Sequence, residues 1–241
     1  MQSAEIDGAN KALDVLVIVP EAAQDDARLR LATSVGNENA CRLHHAFLND
    51  LDEHFRRSQA VDSYDLYWAL PTDSDPLGTN LVSETSTLEQ RGEDVAERRF
   101  NICRDVAAQG YQRVIILISE FPNLPAAIVR QGLEALDRRH VVLAPGNRCG
   151  YYLVGVHLYP EVPNLFAGIK MDTSTVLAQT LVRAADLDCS VALLTSTVGS
   201  GDLGDLRQLL EVLRQPGNAR GPRTTRELLR QVDIFCPVRQ G

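Results

Sequence analysis

Apolar positions along the chain follow two alternating spacings. Leu13 to Val19 is an apolar run rich in β-branched residues, which predicts a strand buried on both faces. Asn37 stands where a helix N-cap would, and beyond it Leu43, Phe47, Leu51 and Phe55 recur every four residues as one buried stripe. Tyr64 to Leu70 reads as a second strand closed by Pro71, and the polar stretch to about Glu84 reads as a loop. Val95 to Ala108 predicts a helix with Val95, Ile102, Cys103 and Val106 on one side, ended by Gly110. Val114 to Ser119 is the most apolar strand, and Pro125 opens a helix that buries Val129, Leu133 and Leu136. Val141 to Ala144 and Tyr151 to Val156 are two further strands. Ser174 to Asp186 reads as a helix, Val191 to Leu194 as a strand, Leu203 to Leu213 as a helix and Thr224 to Val232 as a short helix.

Such alternation predicts a single α/β domain over residues 13–215, with a mainly parallel central sheet and helices on both faces. Sheets of this kind bind ligands outside the carboxyl ends of their strands. The segments of interest are therefore Pro20 to Arg30, Ser119 to Pro122, Pro145 to Gly150 and Thr195 to Asp205. Residues 1–12 read as a flexible polar tail. Residues 216–241 form an Arg-rich extension with Arg220, Arg223, Arg226, Arg230 and Arg239. It reads either as a solvated tail packing back loosely or as an arm for a partner or a second copy.

Composition narrows the classes. The 241 residues are 44% apolar, enough for a sizeable core, and the net charge is −8. That balance argues against a duplex nucleic-acid binder, which needs a basic face. Five cysteines without a CxxC pair predict reduced thiols rather than a disulfide framework or zinc knuckle. No stretch reaches the ~20 apolar residues of a membrane span, and the N-terminus has no apolar core of a leader. The expectation is a cytoplasmic protein. The histidines form no metal pattern, and neither a Walker loop nor a nucleophile elbow is present. Asp73-Ser74-Asp75 is a literal D-x-D, but flanking Pro71 and Pro76 make it a turn.

Four segments carry a resemblance. Gln90-Arg91-Gly92-Glu93-Asp94-Val95-Ala96-Glu97-Arg98 resembles Q-x-G-x-D-L-G-x-R. Val114 to Pro122 is similar to a strand ending in G-S-D-x-P. Ala144 to Gly155 resembles G-P-A-x-D-G-G-Y-Y-L-I-G, and Leu165 to Ile169 with Thr173 to Leu181 completes the order. Together they resemble a bacterial group of GT-A-type glycosyltransferases, the DUF2064 family, which includes arsenosugar-biosynthesis-type glycosyltransferase-like proteins. The resemblance implies a GT-A-like, Rossmann-like domain of the nucleotide-diphospho-sugar transferase superfamily. It also implies a nucleotide-sugar donor and a divalent metal, Mg2+ or Mn2+, across the diphosphate. A departing nucleoside diphosphate gathers negative charge that a metal or basic cluster must absorb.

The chain departs from the family at each chemical position. The glycine loop and K-T-R-L after the first strand become Ala22 to Leu31, where Arg28 and Arg30 supply cations but Asp25 and Asp26 would repel phosphate. These arginines either grip a phosphate or pair with those aspartates. The family's G-S-D becomes Ile118-Ser119-Glu120, leaving Glu120 as the catalytic and metal-facing carboxylate that the resemblance implies. Asp-Gly-Gly becomes Arg148-Cys149-Gly150, so Arg148 either holds a diphosphate or pairs with Glu120. Tyr151 reads as ligand-facing or as core. D-V-D-T becomes Gly199-Ser200-Gly201-Asp202; Asp202 or Asp205 could compensate, or cap a helix. Asp172 is a further candidate carboxylate, or a cap beside Ser174. The donor-binding set is thus Arg28, Arg30, Gln90, Gly92, Asp94, Arg98, Ser119, Arg148, Gly150 and Tyr151, with Glu120 and Asp172 for catalysis.

Two functions stand side by side. One is a divergent transferase with a degenerate active site that still uses a nucleotide-sugar donor. The other is a non-catalytic protein of the same fold that binds or scaffolds a partner enzyme, or forms a homo-oligomer.

Overall fold

The apolar runs become strands and the amphipathic stripes become helices, in the order β1 (Asp14–Val19), α1 (Asn37–Asp62), β2 (Asp65–Pro71), β3 (Ser86–Gln90), α2 (Val95–Ala108), β4 (Arg113–Ile118), α3 (Ala127–Leu136), β5 (Val141–Pro145), β6 (Tyr151–His157), α4 (Val176–Asp186), β7 (Val191–Leu193), α5 (Leu203–Arg214) and α6 (Arg223–Gln231). The computed structural model describes residues 13–20, 31–33, 35–71, 86–146, 150–171, 173–196, 203–214 and 223–231. The strands form one seven-stranded sheet, ordered β3-β2-β1-β4-β6-β5-β7. All neighbours are parallel except β6, which runs antiparallel to β4 and β5.

The double burial of the central strands follows from their side-chain alternation. Val15, Val17, Val19, Val114 and Ile116 face one side, which α2 and α4 cover through Ile102, Cys103, Val106, Val176 and Ala184. Leu16, Ile18, Ile115 and Leu117 face the other, covered by Leu48, Leu51 and Phe55 of α1 and by Val129, Leu133 and Leu136 of α3. Helix α1 is buried on a second stripe as well. Its Ala40, Leu43 and Phe47 pack with Leu206, Leu209, Leu210 and Leu213 of α5 and Leu229 of α6.

Three local features differ from the pattern reading. Strand β3 lies where no strand was expected, since Ser-Thr-Leu-Glu-Gln is polar; it is an edge strand whose Ser86, Thr87 and Glu89 are exposed. Gly36, not Asn37, occupies the N-cap of α1, with no side-chain capping bond. The third is in the Arg-rich extension, where residues 223–231 are not a solvated tail. Helix α6 packs on α1, with Thr225 and Leu229 buried.

A carboxylate from another helix fixes α6. Asp50, buried on α1, accepts from Thr224 N at 3.0 Å and Thr225 N at 2.7 Å. Two otherwise orphaned N–H groups at the start of α6 are satisfied this way. Asp50→Ala is expected to cost about 1–3 kcal/mol in urea unfolding and to speed amide exchange in 223–231 first. An unchanged midpoint would show that α6 is held by its leucines alone.

Candidate functional site

The chain runs β1, β2, β3 outward to one edge and then returns to place β4 on the other side of β1. The strand order therefore reverses between β1 and β4, and the crevice outside their carboxyl ends is the expected ligand position. Val19 pairs with Ile118 there, and Ser119 N donates to Val19 O at 3.2 Å. Ser119 is buried, and its Oγ has no hydrogen-bond partner among the described residues. Glu120 follows, half-buried and already engaged in an interaction of its own. Beyond it the Phe121 ring packs 5.0 Å from Tyr152, whose hydroxyl donates to Thr195 O at 2.9 Å.

The Gln90 to Arg98 segment borders the same edge, and its polar side chains are mostly used to build it. Gln90 is buried and donates to Pro20 O at 3.0 Å and Ala69 O at 2.7 Å, tying β3 to the ends of β1 and β2. Asp94 is the N-cap of α2, accepting from Glu97 N at 2.8 Å, while Glu97 accepts from Glu93 N at 2.8 Å. Gly92 has φ 140°, and a Cβ on it would stand 2.9 Å from Arg98 N. The glycine thus lets the loop lie against its own helix. Asn101 donates to Arg91 O at 2.8 Å and closes the turn. Arg98 is half-buried, its backbone N donates to Asp94 O at 3.0 Å, and its guanidinium makes no hydrogen bond or ion pair among the described residues.

The β5–β6 hairpin supplies the third wall. Gly146 N donates to Gly150 O at 3.2 Å, and Gly150 takes φ 77°. A Cβ at Gly150 would lie 2.7 Å from Val176 Cβ, so this glycine permits β6 to meet the start of α4. Tyr151 is 2% exposed and belongs to the core facing α2 and α4. Burial pushes its hydroxyl pKa up, and the nearby Arg99 guanidinium opposes that rise.

Arg99 is the polar residue that the pattern reading passed over. It is 4% exposed, and its Nε and Nη1 have no hydrogen-bond partner among the described residues. Its signal was the helical stripe itself: α2 buries Ala96, Arg99, Ile102, Cys103 and Val106, so an arginine fills one position of an apolar face. Burial pushes the Cys103 thiol up to about 12, with Arg99 again opposing.

Gln90, Ser119, Glu120, Gly150 and Tyr151 thus gather at one edge of the sheet, with Gly92 and Asp94 in the adjoining turn and Arg98 in the first turn of α2. Arg28, Arg30, Arg148 and Asp172 lie outside the described residues, as do Asp202 and the Asp73-Ser74-Asp75 turn; Asp205 is buried in the first turn of α5. The opposite edge contrasts with this one. There Arg113 makes a two-point pair with Asp14, Nε to Oδ1 and Nη2 to Oδ2, each 2.6 Å, and a further pair with Asp137. Tyr111 donates to Asp65 at 2.6 Å. Toward the carboxyl edge, Ser119 Oγ and Arg99 Nε and Nη1 are buried without a hydrogen-bond partner among the described residues, as are His54 Nε2 and Asn164 Oδ1 elsewhere in the fold. Buried polar groups are normally paired, and where the strand order reverses a ligand is one explanation of the exception.

Among the described residues no three His, Cys, Asp or Glu side chains gather as a metal cage. Glu120 alone would fit Mg2+ or Mn2+ only where phosphate oxygens and water complete the shell, which is the usual manner of Mg2+ binding with nucleotides. Cys41, Cys103 and Cys189 form no disulfide among the described residues, and no described helix is long and apolar enough to cross a membrane.

The model of a family described as "Uncharacterized protein conserved in bacteria (DUF2064)" matches residues 51–173, just over half of the chain. The chain belongs to the DUF2064 family. The matched region runs from α1 to the start of α4 and so contains Gln90, Ser119, Glu120 and Tyr151. Among solved structures, a candidate nucleotide-diphospho-sugar transferase from Desulfovibrio desulfuricans is similar, with TM-score 0.78 and 24% identity over 91% of this chain and 95% of that one. A cytidylyltransferase from Leptospira borgpetersenii aligns with TM-score 0.51 and 9% identity over 92% and 94% of the two chains. The bifunctional IspDF from Campylobacter jejuni aligns with TM-score 0.53 and 8% identity over 81% of this chain and 54% of its own. No curated protein sequence matches. At these identities the structural likeness establishes the fold: a single α/β domain of the kind shared by nucleotide-diphospho-sugar transferases and cytidylyltransferases.

Proposed function

We propose that this DUF2064 protein binds the diphosphate of a nucleotide or nucleotide sugar at the carboxyl edge between β1 and β4 and acts as a divergent glycosyl or nucleotidyl transferase. The observation that carries this reading is Ser119, a buried hydroxyl without a partner among the described residues, at the point where the strand order reverses. Glu120, next to it, holds Mg2+ or Mn2+ through one carboxylate, with phosphate oxygens supplying further ligands. The metal's contribution is to neutralise charge on the leaving diphosphate. Gly92, Arg98 and Gly150 line the approach, and Arg28, Arg30 and Arg148, outside the described residues, are the further cations offered to the diphosphate.

A second reading, a non-catalytic binder or scaffold for a partner enzyme, is favoured by Gln90 and Asp94. Both match the family motif, yet each is taken up by the backbone around it. Their retention therefore reports on architecture and not on turnover.

Calorimetric titration with UDP, GDP, ADP and dTDP and their sugar conjugates, with and without manganese, tests the proposal. Micromolar binding of one nucleotide is expected, with manganese raising affinity in the parent and not in Glu120→Gln. Equal enhancement in both would remove Glu120 as a ligand. Binding without donor turnover would select the scaffold reading, and no binding at all would overturn the nucleotide site.

A further inference from the structure

We infer that Arg99, and not Arg98 of the family motif, is the buried anion anchor of this site, binding a phosphoryl oxygen of the diphosphate. The inference deepens the nucleotide reading and rests on it for the identity of the ligand. Its own basis is geometric. Arg99 is 4% exposed, and two of its three guanidinium nitrogens, Nε and Nη1, are buried without a hydrogen-bond partner among the described residues.

Those two nitrogens face different sides of the guanidinium, so each can donate one charge-assisted hydrogen bond to an oxyanion. Side chains on a helix lean toward its N-terminus, and the N-terminus of α2 lies at the carboxyl edge, just after β3 ends at Gln90. Arg99 therefore leans toward the edge that holds Ser119. Tyr151, at the start of β6 on the same edge, lies within its electrostatic reach.

Among the described residues no ion pair involves Arg99. The Tyr151 hydroxyl and the Cys103 thiol lie within its electrostatic reach, and burial pushes both pKa values up, toward the neutral forms. A buried cation without an anion is costly, and removing one partner of a buried pair leaves this arrangement. A fold that retains it holds an open acceptor for negative charge. The contrast with Arg113 is direct: that guanidinium, at the other end of the sheet, has carboxylates on two sides. Arg98 is half-buried and turned out of the apolar stripe, so it lacks the desolvation that would make an anion contact strong.

The test compares melting temperatures of the parent, Arg99→Met and Arg99→Lys, each without anion, with inorganic pyrophosphate, and with the four nucleoside diphosphates. Without anion, Arg99→Met is expected to melt at or above the parent, because an uncompensated buried charge has been removed. Pyrophosphate is expected to raise the melting temperature of the parent, less so that of Arg99→Lys, and not that of Arg99→Met. Nucleotide affinity in Arg99→Met is expected to fall roughly 10- to 100-fold. Pyrophosphate stabilisation that depends on Arg99, without binding of any nucleotide, would keep the anion site and overturn the nucleotide reading. Nucleotide binding equal in parent and Arg99→Met would do the reverse. If Arg99→Met melts well below the parent and pyrophosphate stabilises neither, Arg99 is a structural residue and the inference fails.

Discussion

Trp68→Ala is expected to destabilise the protein by about 3–5 kcal/mol, a large share of the 5–15 kcal/mol that holds an ordinary domain together. Trp68 is 1% exposed on β2, packed between the sheet and α1. Its Nε1 donates to Asp52 Oδ1 at 3.0 Å, and Asp52, itself buried, also pairs with Arg56. Truncation opens a cavity and strips a buried carboxylate of one donor. Trp68→Phe refills most of the volume and leaves only the lost hydrogen bond, so about 1–3 kcal/mol is expected. Urea unfolding of the two variants separates the terms. An alanine variant within 1 kcal/mol of the parent would mean that α1 re-packs over β2. The effect reaches the site because the next residue, Ala69, provides the carbonyl that receives Gln90.

The second large effect is expected at Gly150. Its φ of 77° costs a side-chain-bearing residue about 1–2 kcal/mol. A Cβ there would stand 2.7 Å from Val176 Cβ and 3.3 Å from Leu177 N, both fixed by the first turn of α4. Overpacking of this kind adds about 1–3 kcal/mol. Gly150→Ala is therefore expected to lose roughly 2–5 kcal/mol and to push α4 away from the start of β6. Gly110 is the control. It also has positive φ, 95°, but nothing lies within 4 Å of its added Cβ, so Gly110→Ala is expected to lose only the conformational part. Thermal unfolding of the pair checks this, and equal losses would show that the contact with Val176 relaxes freely.

These two positions also mark what the sequence could reveal. The double burial of β1 and β4 was legible because unbroken β-branched runs leave no polar face. Helix α2 was placed at Val95 to Ala108 from its stripe. Strand β3 was not legible, because an edge strand needs no apolar face and Ser-Thr-Leu-Glu-Gln has little of one. The antiparallel direction of β6 was likewise silent, since side-chain periodicity carries no direction; the tight Gly146 to Gly150 closure imposes it. At the candidate site, the motif spacing put Ser119, Glu120 and Gly150 together, and the fold places all three at the carboxyl edge. The roles of Gln90 and Asp94 did not, because the spacing cannot tell a ligand contact from a backbone tie. Arg99 was missed for a related reason. The motif drew attention to Arg98, while the apolar phase of α2 passes through Arg99.

Hydrogen exchange along the chain, with and without a saturating nucleoside diphosphate, tests the central claim most directly. The account predicts protection at Ser119–Glu120, at Gln90 to Arg99 and around Gly150–Tyr151, with the opposite edge at Tyr67, Tyr111 and Arg113 unchanged. Protection centred on that opposite edge, or spread evenly with none at Ser119, would contradict it.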